Sequence, residues 1–165
     1  MNNQYIEMIK AINVGIHAFN RHLSSVHRVP TFDLRRVDDK TYVSRVVHKD
    51  WDAFKWINPE DRRVYFIFGH DANKKSEKGL YVGKASYSST IGRRLWVHFN
   101  RHRYDDYFEM NNATGRPYRL QYSTSISLDK VGLGFMASAL EEFLLGALKN
   151  KLHLLNGTGN AGARQ

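Results

Sequence analysis

The chain has 165 residues, with 25 Lys and Arg against 16 Asp and Glu, a formal charge of +9, and no cysteine. That length suits one domain with its own hydrophobic core, and the lack of thiols excludes disulfides and thiolate zinc sites. The positive charge points to a polyanionic partner, nucleic acid first. No apolar run approaches the ~20 residues that span a bilayer. The opening Met1–Asn2–Asn3–Gln4–Tyr5–Ile6–Glu7 has no basic region followed by an apolar one, so no signal peptide is read there and a cytoplasmic protein is expected.

Residues 4 to 24 predict a helix, because Tyr5, Met8, Ile9, Ile12, Ile16 and Phe19 recur at helical spacing, with Lys10, Asn13 and Asn20 off that stripe. Two β-like runs follow, Thr31–Arg36 and Thr41–His48, with Asp38–Asp39–Lys40 as a hairpin turn between them. Asp50 is placed to cap a short helix over Trp51–Ile57, which Asn58–Pro59 ends. Residues 1–61 therefore read as a helix and hairpin extension docked on a core that spans 62–160, with 161–165 as a mobile tail.

In the core, Arg63–Phe68 and Leu80–Gly83 read as paired strands joined by a lysine-rich loop. Ser88, Ser89 and Thr90 are cap candidates for a helix from Ile91 to His102. Tyr118–Ser127 alternates as a strand, with Leu120, Tyr122, Thr124 and Ile126 expected on one face. Gly132 and Gly134 precede a helix over Phe135–Leu152. The expected class is α+β: a small, mixed or antiparallel three-stranded sheet flanked by helices, in the order β-β-α-β-α.

The sharpest anomaly lies on the last helix. On a wheel of about 100° per residue, Ala137, Leu144, Leu145, Leu148 and Leu152 all fall within about 60° of Glu141. A carboxylate in the middle of an apolar stripe needs a cation, a base or a cleft. A structural salt bridge with an arginine meets that need as well as a metal ion does. Arg94 and His98 are four apart on one helix face, which Arg101 continues. Arginine offers phosphate a planar fork of donors, and histidine exchanges protons near neutrality. Arg93, Arg94, His98, Arg101, His102 and Arg103 are interleaved with Trp96, Phe99 and Tyr104, a mixture that suits phosphate and base contacts. Tyr65 and Tyr81 each lie inside a strand, where a hydrogen-bonded core phenol is the ordinary explanation.

Together, Arg63–Val64–Tyr65, then Tyr81–Val82–Gly83–Lys84–Ala85, then Arg93–Arg94–Leu95 ending in His98–Phe99, resemble the GIY-YIG nuclease family, in the manner of its stand-alone restriction endonucleases. Ala139–Leu140–Glu141–Glu142–Phe143–Leu144–Leu145 is similar to that family's metal-binding helix, and Asn156 lies where its terminal asparagine is expected. Arg63 stands in place of the family's first glycine. The resemblance covers about residues 62–160 and implies a divalent-metal-dependent endonuclease that hydrolyses DNA phosphodiester bonds, with a restriction role or, alternatively, a repair or mobile-element role. A non-catalytic nucleic-acid-binding module of the same fold is a further alternative. By this likeness Glu141 is the sole protein ligand of one Mg²⁺ or Mn²⁺ ion, and Arg94 holds the scissile phosphate. Tyr65, its pKa lowered by cations, would take the proton of the attacking water, with Tyr81 and His98 orienting or relaying it. His98 is the competing base. Lys84 and Asn156 support the site, Lys84, Arg93, Arg101 and Arg103 touch DNA, and cutting both strands favours a homodimer by symmetry. Neither the DNA sequence recognised nor the choice of DNA over RNA is legible.

Overall fold

The computed structural model describes residues 3–38, 43–45, 61–86, 94 and 107–156. The predicted turn at Asp39–Lys40, the helix over 51–57, most of the helix over 91–102 and the tail at 161–165 lie outside the described residues; Arg94, the one described member of the 91–102 stretch, is helical. The elements are α1 (Asn3–Asn20), β1 (Ser44–Arg45), β2 (Arg63–Asp71), β3 (Lys78–Ala85), β4 (Glu109–Asn111), β5 (Pro117–Ser127) and α2 (Ala137–Leu148). The α+β class holds, but among the described residues the sheet has five strands rather than three, and every pairing in it is antiparallel. Its order is β1-β5-β2-β3, with β4 also on β5. The additional strands are short pieces that satisfy backbone groups along the outer edge of the long β5, and short pieces carry little periodicity to betray them.

β2 is central and buried along its whole length, which explains its unbroken apolar run Val64–Phe68. One face of the sheet carries Val64, Phe66, Phe68, Leu80, Val82 and Ile126, which share a core with Tyr5, Ile9, Ile12 and Ile16 of α1 and Leu140, Leu144 and Leu148 of α2. The other face packs Tyr65 and Ile67 against Phe108, Met110, Tyr118, Leu120 and Leu155. Residues from both sides of the expected 61/62 boundary thus contribute to one core.

The expected common face of β5 is broken by a bulge. Phe68 pairs with Tyr122 but Gly69 pairs with Leu120, so Gln121 is the extra residue. A one-residue shift turns every later side chain to the opposite face, which puts Leu120 with Tyr65 and leaves Tyr122 on the helix side. Gln121 Oε1 accepts from the Tyr5 hydroxyl at 2.8 Å, tying the bulge to α1.

Two further expectations fail for identifiable reasons. Asn20 is not off the buried stripe: it is buried, and its amide exchanges two hydrogen bonds with the Val29 backbone at 2.8 and 2.9 Å. Thr31–Arg36 does not form a strand. The Phe32 backbone N–H and C=O are both taken by the Asn13 side chain, each at 2.8 Å, and Asp33 caps a 3₁₀ turn over Leu34–Arg36. Those groups would otherwise pair in a ladder. Of the second predicted run, Ser44–Arg45 pairs with Ser123 and Tyr122 of β5.

Candidate functional site

The antiparallel register of β2 and β3 sets Tyr65 opposite Gly83 and Ile67 opposite Tyr81. Tyr65, Tyr81 and Gly83 therefore share one face, with the two tyrosines as diagonal neighbours. Their rings stack with centroids 6.1 Å apart and planes 23° from parallel. Gly83 makes this contact possible. A methyl group there would lie 2.5 Å from the Tyr65 hydroxyl and 2.8 Å from its Cε2, so the phenol rests on bare backbone. Tyr65 is only 2 % exposed, whereas Tyr81 is half-buried.

A side-chain hydrogen bond between the phenols couples their titration, raising the pKa of Tyr65 and lowering that of Tyr81. Burial is the largest influence on both and pushes both above the ordinary phenol value, Tyr65 well above it. The Arg94 guanidinium pulls both down and the Glu141 carboxylate pushes both up, which places all four groups in one electrostatic neighbourhood. The expectation that cations lower the Tyr65 pKa is corrected here: desolvation of a nearly inaccessible phenol outweighs the attraction of Arg94.

Glu141 enters from α2. Its place between Leu140 and Leu144 on the packed face leaves it 4 % exposed, while Glu142 faces solvent. The Lys84 ammonium, one residue beyond Gly83 on β3, lies 3.0 Å from Glu141 Oε2. That distance makes a close ion pair between β3 and α2. Burial holds the Glu141 carboxyl above its usual range, against the opposing pull of Lys84 and Arg94. The partner that the apolar stripe required is thus a lysine.

Asn156 reaches the same strand from beyond α2. Its Oδ1 accepts from the Val82 N–H at 3.1 Å and its Nδ2 donates to the Val82 carbonyl. With Leu80 N–H donating to His153 O at 2.9 Å and Leu155 N–H to Leu80 O at 2.8 Å, the segment after α2 lies along the outer edge of β3. Asn156 therefore ties the segment after the Glu141 helix to the Tyr81 strand.

Arg63 is a buried charge with its own partners. It shares the Tyr65 face, is 8 % exposed, and pairs with Asp61 Oδ2 at 2.6 Å and Ser125 Oγ at 3.1 Å, while Ser127 Oγ donates to the same Asp61 oxygen. The partnership of Asp61 had no legible signal in the sequence, because alternation along a strand reports a face and not a partner. Arg93, His98, Arg101 and Arg103 lie outside the described residues.

Among the described residues no cluster of three or more His, Cys, Asp or Glu side chains could hold a metal ion. A lone carboxylate suits only an ion that keeps most of its waters, as Mg²⁺ does. The buried Oε2 of Glu141, now paired with the Lys84 ammonium, is an atom that such an ion could take. Comparison of the chain with family models, curated proteins and solved structures gives no match.

Proposed function

We propose that the chain is a divalent-metal-dependent endonuclease that hydrolyses DNA phosphodiester bonds, built on a GIY-YIG-like arrangement and acting as a restriction-type enzyme. The observation that carries this reading is the convergence of Tyr65, Tyr81, Lys84, Arg94 and Glu141, drawn from separate parts of the chain into one electrostatic neighbourhood around a buried carboxylate. The net charge of +9 supports a polyanionic substrate.

In this reading Tyr81, Lys84 and Arg94 face the substrate. Arg94 holds a non-bridging phosphate oxygen and offsets the charge that builds up as water attacks phosphorus. Tyr81, the more exposed of the two phenols, donates to a phosphate oxygen or the attacking water in this reading. Tyr65 positions Tyr81 from beneath. A phenol pushed up by burial is a poor proton acceptor at neutral pH, which favours His98 as the base. When bound, a single Mg²⁺ or Mn²⁺ held by Glu141 supplies neutralisation of the phosphate and the leaving oxygen.

Supercoiled plasmid incubated with the protein and either ion tests the reading. Wild type should nick or linearise the plasmid, and Glu141→Ala should not. An intact plasmid in both ions, or equal cutting by Glu141→Ala, rejects it. Sequencing the cut ends then decides the role: defined ends support restriction, and scattered ends a nonspecific or structure-guided nuclease.

A further inference from the structure

We infer that Lys84 is the resident counter-ion of Glu141 in the metal-free protein, and that it leaves the carboxylate when a divalent ion arrives and turns to the substrate phosphate. This inference rests on the nuclease reading above and assigns a specific exchange to its site.

Three observations carry it. First, the Lys84–Glu141 pair is shielded, with side chains 22 % and 5 % exposed, so the carboxylate cannot rely on water to balance its charge. Secondly, the ammonium sits 3.0 Å from Oε2, the same oxygen that a divalent ion would need. Thirdly, lysine is suited to being displaced. Its ammonium is a point charge on a flexible four-carbon stem, whereas the arginine fork grips a carboxylate with two parallel bonds. An ammonium and a divalent cation on one oxygen would repel at short range, so binding the ion through Oε2 means moving Lys84. The stem starts one residue beyond Gly83 on the strand that carries Tyr81, opposite Val64.

The experiment uses the full chain. Lys84 acetylation by a water-soluble acylating reagent is followed by peptide mass spectrometry, with and without Mn²⁺, in wild type and Glu141→Gln. Mn²⁺ affinity is measured by electron paramagnetic resonance in wild type, Glu141→Gln and Lys84→Met. Mn²⁺ should speed Lys84 acetylation in wild type. In Glu141→Gln, Lys84 should react fast whether or not Mn²⁺ is present. Lys84→Met should bind Mn²⁺ roughly ten- to a hundredfold more tightly, the factor that corresponds to losing one charge-assisted contact. The labelling uses wild type, so the test stands even if Lys84→Met folds poorly. If Mn²⁺ binds through Glu141 while Lys84 labelling is unchanged, or if Lys84→Met binds Mn²⁺ no better than wild type, the exchange is overturned and the metal site survives. If wild type and Glu141→Gln bind Mn²⁺ equally, the metal reading of Glu141 falls, and the exchange with it.

Discussion

Gly83→Ala tests whether the tyrosine pair is held by close packing on bare backbone. In an ordinary strand, replacing glycine by alanine stabilises by about 0.5–1 kcal/mol, because the unfolded chain loses freedom. At Gly83 the new methyl would fall 2.5 Å from the Tyr65 hydroxyl, 2.8 Å from Cε2 and closer still to Cζ. Tyr65 has little room to swing away, because it is 2 % exposed within a buried cluster that includes Ile67, Ala85 and Phe108. Overpacking of this kind costs about 1–3 kcal/mol and here takes the upper end, so the clash exceeds the backbone gain and the net loss is about 1–2 kcal/mol. For a chain of this size, that lowers Tm by about 2–8 °C. Differential scanning calorimetry of metal-free protein reads it directly. The same substitution in a Tyr65→Leu background removes all three clashing atoms, so there Gly83→Ala should be neutral or stabilising. An unchanged or raised Tm for the single variant, or an equal loss in both backgrounds, refutes the packing argument.

Glu141→Gln should abolish cleavage and also change how stability responds to pH. The folded carboxyl is held above its ordinary value, so its contribution to stability is present below the unfolded pKa and is lost as pH rises through the folded one. Thermal melts between about pH 4 and pH 8 should therefore show Glu141→Gln gaining on wild type as pH rises. Asn156→Ala leaves the Val82 N–H and C=O without their side-chain partners and should cost about 1–3 kcal/mol in urea denaturation, with a parallel fall in plasmid cutting. Asp61→Ala strands the buried Arg63 guanidinium and should cost about 3–5 kcal/mol, whereas Asp61→Ala combined with Arg63→Met should recover much of that loss, because the second variant removes the charge as well.

Several of these features follow from local pattern. The stripe Tyr5, Met8, Ile9, Ile12, Ile16 and Phe19 places α1, and the apolar run Val64–Phe68 marks a strand buried on both faces. The burial of Glu141 follows from its angle on the helix wheel, and with it the need for a cation. The antiparallel pairing of Arg63–Phe68 with Leu80–Gly83 follows from two adjacent β-type runs. In each case residues a few positions apart carry the information, because helix and strand periods repeat within a turn or two.

Tertiary packing decided the rest. Nothing in Tyr118–Ser127 announces that Gln121 is an extra residue, since a bulge appears only when two strands are set in register. Asn13 and Asn20 look like surface residues until they meet the backbone of Phe32 and Val29. The ionisation of Tyr65 depends on how deeply the sheet and its neighbours cover it, which reverses the expected direction. That Lys84, and not an arginine, answers Glu141 required β3 and α2 to be packed together. Asn156 meets Val82 across 74 positions. Local periodicity shows which side chains must leave water and which one must then find a cation. Which partners they meet was settled only by register and packing, because those contacts join segments that share no local period.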